Sequence, residues 1–569
     1  MRKESLLPNI AEVTNLNVQK DENRKLNRPD INEIWIPCSI CHQHIHQNVF
    51  LNHKQLHKAF NLMGYKVADK PANIESLKSK KLQIVSQKNK SSPCMLRERH
   101  MINHCHEIIQ RFLFSPVKYT STAKCADFEN ILINTKETNN YLIRSIVTCA
   151  DKNITWQADM EDVFVVLDNY GKRENTTFIG LFDGYNGTSA ALNVSLELPV
   201  LFLSHIKDVD PSYKLTEEEN YFVNSFDTVF KDRYKETEDN FSSAVQSKMT
   251  QGIKFELIHA SYAKAFWRMD RILKLGRKEK SFSRWSGCTA VTCLIDGLTN
   301  IEEGQEKNDT GHLSDDTKHA LKRKLGMLHL VNLGNIKAVL CRSRKSYCLS
   351  QEHSTSSSQE RNRVREAGGS ISSNEDHGLV EGFCKFTRGL GFHGDSKLKK
   401  SIIPAPYTIS IPIYDSCQFI LLASSGLWDV LRESEAVAVV LETFRSFIQC
   451  TNNNTPEDLN SQNVENSALK VDNSKLSHVP NLVAPESYED AVGEMDALKS
   501  PTSQELFFDY SCHDNPDLKT MYSNAAEHAC KELVKTAILA GSQQNITVSL
   551  ILLPGSANMC EVKGVLPGN

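Results

Sequence analysis

Residues 328–341, LHLVNLGNIKAVLC, hold two apolar, strand-forming runs on either side of Leu-Gly-Asn. Such a pattern predicts a strand, a tight turn and a second strand, hence a β-hairpin and an antiparallel sheet. Working outward, further short runs of the same kind (SIVTCA, VFVVLD, TFIGLFDG, TAVTCLI, QFILLAS and ITVSLILL) are spread across residues 140–555 and separated by turn residues. Helical stretches lie between them. In FELIHASYAKAFWRMDRILKL, the residues Ile258, Tyr262, Phe266, Met269, Ile272 and Leu273 recur at helical spacing. The fold class this implies is α+β, built on antiparallel sheet.

The flanks differ. Residues 1–34 are polar without periodicity and predict a disordered lead-in, residues 35–60 are rich in Cys and His, and residues 61–139 read as a linker with one accessory helix at MINHCHEIIQRFLF. Two polar segments, 301–323 and 451–504, read as exposed insertions in the large domain, and 556–569 as a tail. The 569 residues carry a formal net charge of −3, which excludes a global attraction to nucleic acid or anionic membrane. No segment approaches the roughly 18–20 uninterrupted apolar residues of a membrane span, and the N-terminus lacks a signal-peptide core. The expectation is an intracellular protein, cytoplasmic or nuclear, whose scattered 16 cysteines are reduced thiols.

In CSICHQHIHQNVFLNHKQLH, Cys38 and Cys41 are followed by His53 and His57 at the spacing of a tetrahedral zinc knuckle. The bland alternative is chance clustering, and His42, His44 and His46 compete as ligands. The stretch resembles a C2H2 zinc finger with a slightly shortened middle. Reading bases in the major groove usually takes several fingers with basic, polar helices; this one offers mainly Asn52, Lys54 and Gln55, so protein contact or a structural role is the better expectation and nucleic acid is disfavoured.

Three carboxylates form a second constellation. In TWQADMEDVFVV, Glu161 and Asp162 precede a strand, and in FIGLFDGYNGTSAA, Asp183 ends one just before Gly184. Converging at one sheet end, they are hard oxygen ligands for Mg²⁺ or Mn²⁺; as Asp-Gly and its like, they are equally ordinary turn residues.

The order of further motifs separates these readings. MED, FDG, SGCTA, LVNLGNIKAVLC, SQEHS, REAGGSI, FTRGLGF, LLASSGLWDV and GSQQNITV follow one another through nearly everything after residue 140. This order resembles the metal-dependent Ser/Thr protein phosphatases of the 2C family. The resemblance implies a β-sandwich of two antiparallel sheets flanked by α-helices, with two Mg²⁺ or Mn²⁺ ions clamping phosphate and activating a bridging water. It makes Asp183 the bridging ligand and Gly184 a carbonyl ligand of the second metal, which Glu161 supports through water beside Asp162.

The same resemblance exposes departures. Where the family has metal-binding aspartates, this chain has Ser425 and Gln544; where it has a phosphate-binding arginine, Gln157; where it has a histidine, Tyr185; and two further aspartates are Asn335 and Phe392. Asp429, Glu352 and Asp395 are close in sequence to the lost positions and would replace a carboxylate only with a shifted backbone. Scaffold positions such as Gly287, Thr289, Gly368, Gly369, Gly426, Trp428 and Asn545 are kept. The expectation is a catalytically inactive pseudophosphatase that binds a protein, a phosphoprotein being one candidate. The alternatives are a weak Mg²⁺- or Mn²⁺-dependent Ser/Thr phosphatase on the residual Glu161, Asp162, Asp183 and Gly184 site, and a nucleic-acid binder working through the finger.

Overall fold

The computed structural model describes residues 34–66, 70–88, 95–114, 128, 130–225, 234–246, 255–276, 281, 283–297, 324–373, 378–453 and 516–559. The lead-in before Ile34, the 301–323 insertion, nearly all of the 451–504 insertion and the tail beyond Met559 lie outside them; residues 451–453 finish the helix Glu433–Asn453.

The strand runs are apolar at almost every position rather than alternately, which is the pattern of strands covered on both faces. The structure covers them that way. One antiparallel sheet has the order Lys345–Cys348, Lys337–Arg342, Cys417–Ala423, Ile546–Leu552, Ser145–Asp151, Leu132–Lys136. The other runs Tyr407–Tyr414, Lys324–Leu333, Gly287–Gly297, Thr176–Tyr185, Val163–Leu167, with the short Leu390–Gly391 paired to Gly287–Gly297. Successive residues then face opposite ways. Ile146, Ile420, Leu422 and Ile551 meet Ile179, Leu181, Val291 and Leu330 between the sheets. Val147, Phe419, Leu421 and Leu550 turn outward into a cluster with the helices Glu433–Asn453 and Pro516–Leu539. Phe178, Phe182, Ala290 and Leu294 do the same on the far side with Ser189–Val209 and Glu256–Leu275. The result is the expected α+β sandwich, in the layer order helix, sheet, sheet, helix. Ser189–Val209 has the length and composition of a membrane span, but 72% of its most apolar window is buried in this domain.

The opening stretch does not form a hairpin. Lys324–Leu333 pairs with Gly287–Gly297 and Tyr407–Tyr414, whereas Lys337–Arg342 pairs with Cys417–Ala423 and Lys345–Cys348. The two runs belong to opposite sheets, and residues 334–336 cross from one to the other. Each run needs strands on both of its edges and cover on both faces, and neighbouring strands from elsewhere in the chain supply this. The hairpin that does form joins Lys337–Arg342 to Lys345–Cys348 through Ser343 and Arg344, both left-handed at φ 49° and 63° without the glycine that usually marks such a turn.

Residues 61–139 are more than a linker with one helix. Ile74–Lys88 and Met95–Phe114 are both helical, and Leu77, Ile102, Cys105 and Ile109 pack with Ala59, Phe60 and Met63 of the segment before them. Leu132–Lys136 adds an edge strand to the first sheet, so the sandwich begins ahead of residue 140. A high density of Lys and Ser hid the helical spacing of Leu77, Ile84 and Val85.

Gly334 sits at φ +99°, and a Cβ there would lie 2.3 Å from Thr289 Cγ2. Gly334→Ala therefore meets both a left-handed backbone and a steric clash where the sheets are joined. The expected loss is about 2–4 kcal/mol of stability, read as a lower urea midpoint without a changed slope.

Candidate functional site

The carboxylate cluster is assembled from the ends of two neighbouring strands of one sheet, Val163–Leu167 and Thr176–Tyr185, and Ser425 meets it from the other sheet. Thr176–Tyr185 carries Asp183 and Gly184, and the segment ending in Glu161 and Asp162 lies directly across them. A Cβ on Gly184 would come within 2.4 Å of the Glu161 carbonyl oxygen, so this approach requires glycine. Asn545 fastens the same segment: its Oδ1 accepts from Glu161 N at 2.9 Å and its Nδ2 donates to the Lys152 and Asp159 carbonyls. Glu161 Oε1 in turn accepts from Gly187 N at 2.8 Å.

Asp162 is buried, and neither carboxylate oxygen has a hydrogen bond. Burial, followed by repulsion from Asp183, pushes its carboxyl well above the usual range; the nearby Thr547 and Ser424 hydroxyls oppose this without completing a well-formed bond. Asp183 is also buried, and its Oδ2 accepts from Ser425 N at 2.8 Å and from the Tyr185 hydroxyl at 3.4 Å. Burial pushes it up to about 6 and Asp429 acts in the same direction, while the bonds from Ser425 and Tyr185 pull it back.

The replaced positions converge here. Ser425 sits in a turn whose Gly426 faces the Asn545 carbonyl, where a Cβ would lie 2.1 Å away, and whose Trp428 Nε1 donates to Ala423 O at 2.8 Å. Ser425 Oγ is 3.2 Å from the Tyr185 hydroxyl, which also reaches Asn335 Oδ1 at 3.5 Å. Gln157 Nε2 donates to Gln543 O at 2.7 Å and to Gln544 Oε1 at 3.4 Å, so two of the replaced residues bond each other.

Phe392 is absorbed into apolar packing with Val364, Val380, Leu398 and Ile402. Its ring lies 5.7 Å from Phe386, which lies 4.7 Å from Tyr185. This aromatic row was not foreseen: Phe386 stands within FTRGLGF, but nothing in its spacing connects it to Tyr185. The three candidate substitutes have partners of their own, although Asp429 remains near enough to raise the Asp183 carboxyl. Asp429 pairs with Lys385 at 2.6 Å, Asp395 caps the helix Ser396–Ser401, and Glu352 accepts from Ser354 Oγ at 2.7 Å and pairs with Lys337.

These residues fit a dication unevenly. Around Ser425 and Gln544, Asp183 stands as one carboxylate among neutral side chains, a poor set for Mg²⁺ or Mn²⁺. At the Glu161, Asp162, Asp183 and Gly184 end the unbonded Asp162 beside Asp183 leaves carboxylate oxygens available to a hard cation, but Glu161 is turned to Gly187 N. Among the described residues the Cys/His knuckle is the only set of three or more such ligand atoms that lie within 4.8 Å of one another.

The knuckle is better formed. The Sγ atoms of Cys38 and Cys41 and ring nitrogens of His53 and His57 lie within 4.8 Å of one another, a donor set that fits zinc. Cys41 Sγ is 3.3 Å from His53 Nε2, Cys38 Sγ 3.5 Å from His57 Nε2, and the two Nε2 atoms are 3.0 Å apart. Burial, then His57 and Lys70, pushes His53 down to about 4, and burial lowers His57 as well, so both imidazoles are neutral as ligation requires. The competing histidines fall away: His44 and His46 lie on the strand His44–His46, His46 Nδ1 accepts from Asn48 N, and His42 is in a left-handed turn at φ 58°. Lys54 is spent inside the protein, on Glu435 Oε2 at 2.7 Å and on the Val430 carbonyl.

The sandwich, with its metal-type carboxylates at the sheet ends, is that of a metal-dependent phosphatase, and the Protein phosphatase 2C family profile matches residues 254–466. The chain belongs to the protein phosphatase 2C family. It is similar to the Homo sapiens "Protein phosphatase 2C-like domain-containing protein 1", 37% identical over 92% of this chain and 89% of that protein, and to the Mus musculus protein of the same name, 34% identical over the same shares. A solved serine-threonine phosphatase 2C from Toxoplasma gondii aligns at a TM-score of 0.38 and 12% identity over 72% of this chain and 94% of its own.

A buried carboxyl raised to about 6 is charged at neutral pH against a cost that disappears as pH falls through 6 toward its unfolded value. Without added Mg²⁺ or Mn²⁺, Asp183→Asn should therefore stabilise the protein by about 1–3 kcal/mol at pH 7.5, by roughly half as much near pH 5 and by almost nothing near pH 3.5, as measured by urea unfolding at the three values.

Proposed function

We propose that this member of the 2C family is a pseudophosphatase, whose phosphatase-fold domain binds a protein partner instead of hydrolysing phosphoserine or phosphothreonine. The observation that carries the reading is the Asp183, Ser425, Tyr185 and Asn335 cluster, in which one carboxylate is met by a backbone N–H and neutral side chains. Two-metal phosphoryl transfer needs carboxylates on both ions to hold them and to offset their charge. Here the set for the first ion has Ser425 and Gln544 in place of two aspartates, Gln157 stands where the phosphate anchor would be, and Tyr185 stands where the proton donor would be, its hydroxyl pushed by burial well above its ordinary range. The partner is a protein, with a phosphoprotein as the first candidate to test. The nucleic-acid reading loses support because Lys54 is engaged with Glu435.

The buried, unbonded Asp162 beside Asp183 favours a second reading, a residual site for one Mg²⁺ or Mn²⁺ and with it weak phosphatase activity. Calorimetric titration of Mn²⁺ with parallel aryl-phosphate hydrolysis separates the two. The pseudophosphatase reading expects at most one ion per carboxylate cluster and no turnover; two tightly bound ions, with turnover abolished by Asp183→Asn, would sink it. Ser425→Asp combined with Gln544→Asp should strengthen Mn²⁺ binding by about 10–100-fold and add the missing ion. A double variant that gains no metal would refute the placing of these two residues at the first ion.

A further inference from the structure

The finger is no appendage. Ile34, Ile36 and Phe50 are fully buried in one cluster with Leu427, Leu431, Ala436 and Val440, which belong to the turn after Ser425 and the helix Glu433–Asn453. The polar contacts are made by neighbours of the metal-type ligands. Ser39, next to Cys38, donates its N–H at 3.1 Å and its hydroxyl at 2.7 Å to Glu435 Oε1, and Lys54, next to His53, takes Glu435 Oε2. The Glu435 side chain is 0% exposed, and its Oε2 also accepts from Arg432 N at 2.9 Å, capping the start of its own helix. On the other side, Thr536 Oγ1 donates to Gln47 Oε1 at 3.2 Å from the helix Pro516–Leu539. A buried carboxylate stripped of its cation and donors is strongly destabilising, so the position of Ser39 and Lys54 matters to the large domain.

We infer that the Cys38, Cys41, His53 and His57 knuckle is a zinc staple for the phosphatase-fold domain itself: the metal holds Ser39 and Lys54 on Glu435 and so secures the segment 427–441 beside the replaced metal-ligand turn. The partner surface of the finger is intramolecular. Loss of zinc frees both arms of the knuckle, leaves Glu435 buried without Lys54, and loosens the domain from behind the carboxylate cluster. This rests on the reading of the knuckle as a zinc site.

The test uses the full chain purified with zinc, its metal content measured colorimetrically, and amide hydrogen exchange followed before and after treatment with EDTA. The expected result is one zinc in the knuckle, a rise in exchange of about tenfold or more across 427–441 on chelation, and recovery with added Zn²⁺ but not Mg²⁺. Lys54→Met, which keeps all four ligands, should retain zinc yet raise exchange over the same segment. If zinc is present and chelation raises exchange only within 34–62, or if Mg²⁺ alone restores 427–441, or if Lys54→Met leaves that segment unchanged, the staple is refuted while the zinc site stands. If no zinc is found, both fail.

Discussion

The Ser425 backbone N–H on the Asp183 carboxylate, at 2.8 Å, joins the two halves of this molecule. Asp183 comes from the strand Thr176–Tyr185 of one sheet, and Ser425 from the turn that follows Cys417–Ala423 of the other. In a site built for metals, carboxylates from both sheets would be pulled together by the ions. With a serine at 425, a backbone dipole and a tyrosine hydroxyl meet the single charge instead. The cost of burying that charge remains visible in the carboxyl pushed up to about 6.

Around this contact the scaffold is fixed for steric reasons. Gly184 must be glycine because the Glu161 carbonyl occupies the space of a Cβ, and Gly426 because the Asn545 carbonyl does. Asn545 is kept because it fastens the segment before Asp162 through three hydrogen bonds. The replacements also satisfy one another: Gln157 bonds Gln544, and Tyr185 and Phe392 are joined through Phe386.

The back of the sandwich is arranged differently. The finger, the turn after Ser425 and the helices Glu433–Asn453 and Pro516–Leu539 share one apolar cluster, with Glu435 as its buried charge. A Cys/His knuckle on a short hairpin and helix has too small a core to stand alone without metal. Here it also borrows core from its neighbour, which ties the two modules into one unit.

The apolar runs by themselves determined strands covered on both faces, because such strands must be apolar throughout. The sandwich follows from the motif order, and the antiparallel pairing is inferred there from a hairpin that does not form. The motif order located Asp183, Ser425, Tyr185 and Asn335, and Cys and His spacing located Cys38, Cys41, His53 and His57, because these groups act through local backbone geometry that short motifs encode. Only the tertiary structure decided that LHLVNLGNIKAVLC crosses between sheets instead of closing a hairpin, since strand partners are chosen by competition among distant segments. It alone showed that Asp429 pairs with Lys385, Glu352 with Lys337 and Asp395 with the start of its own helix, that Phe386 bridges Tyr185 and Phe392, and that Lys54 points into the protein. Burial and ion pairing between residues hundreds of positions apart leave no periodic trace in a sequence; they exist only once the chain has packed.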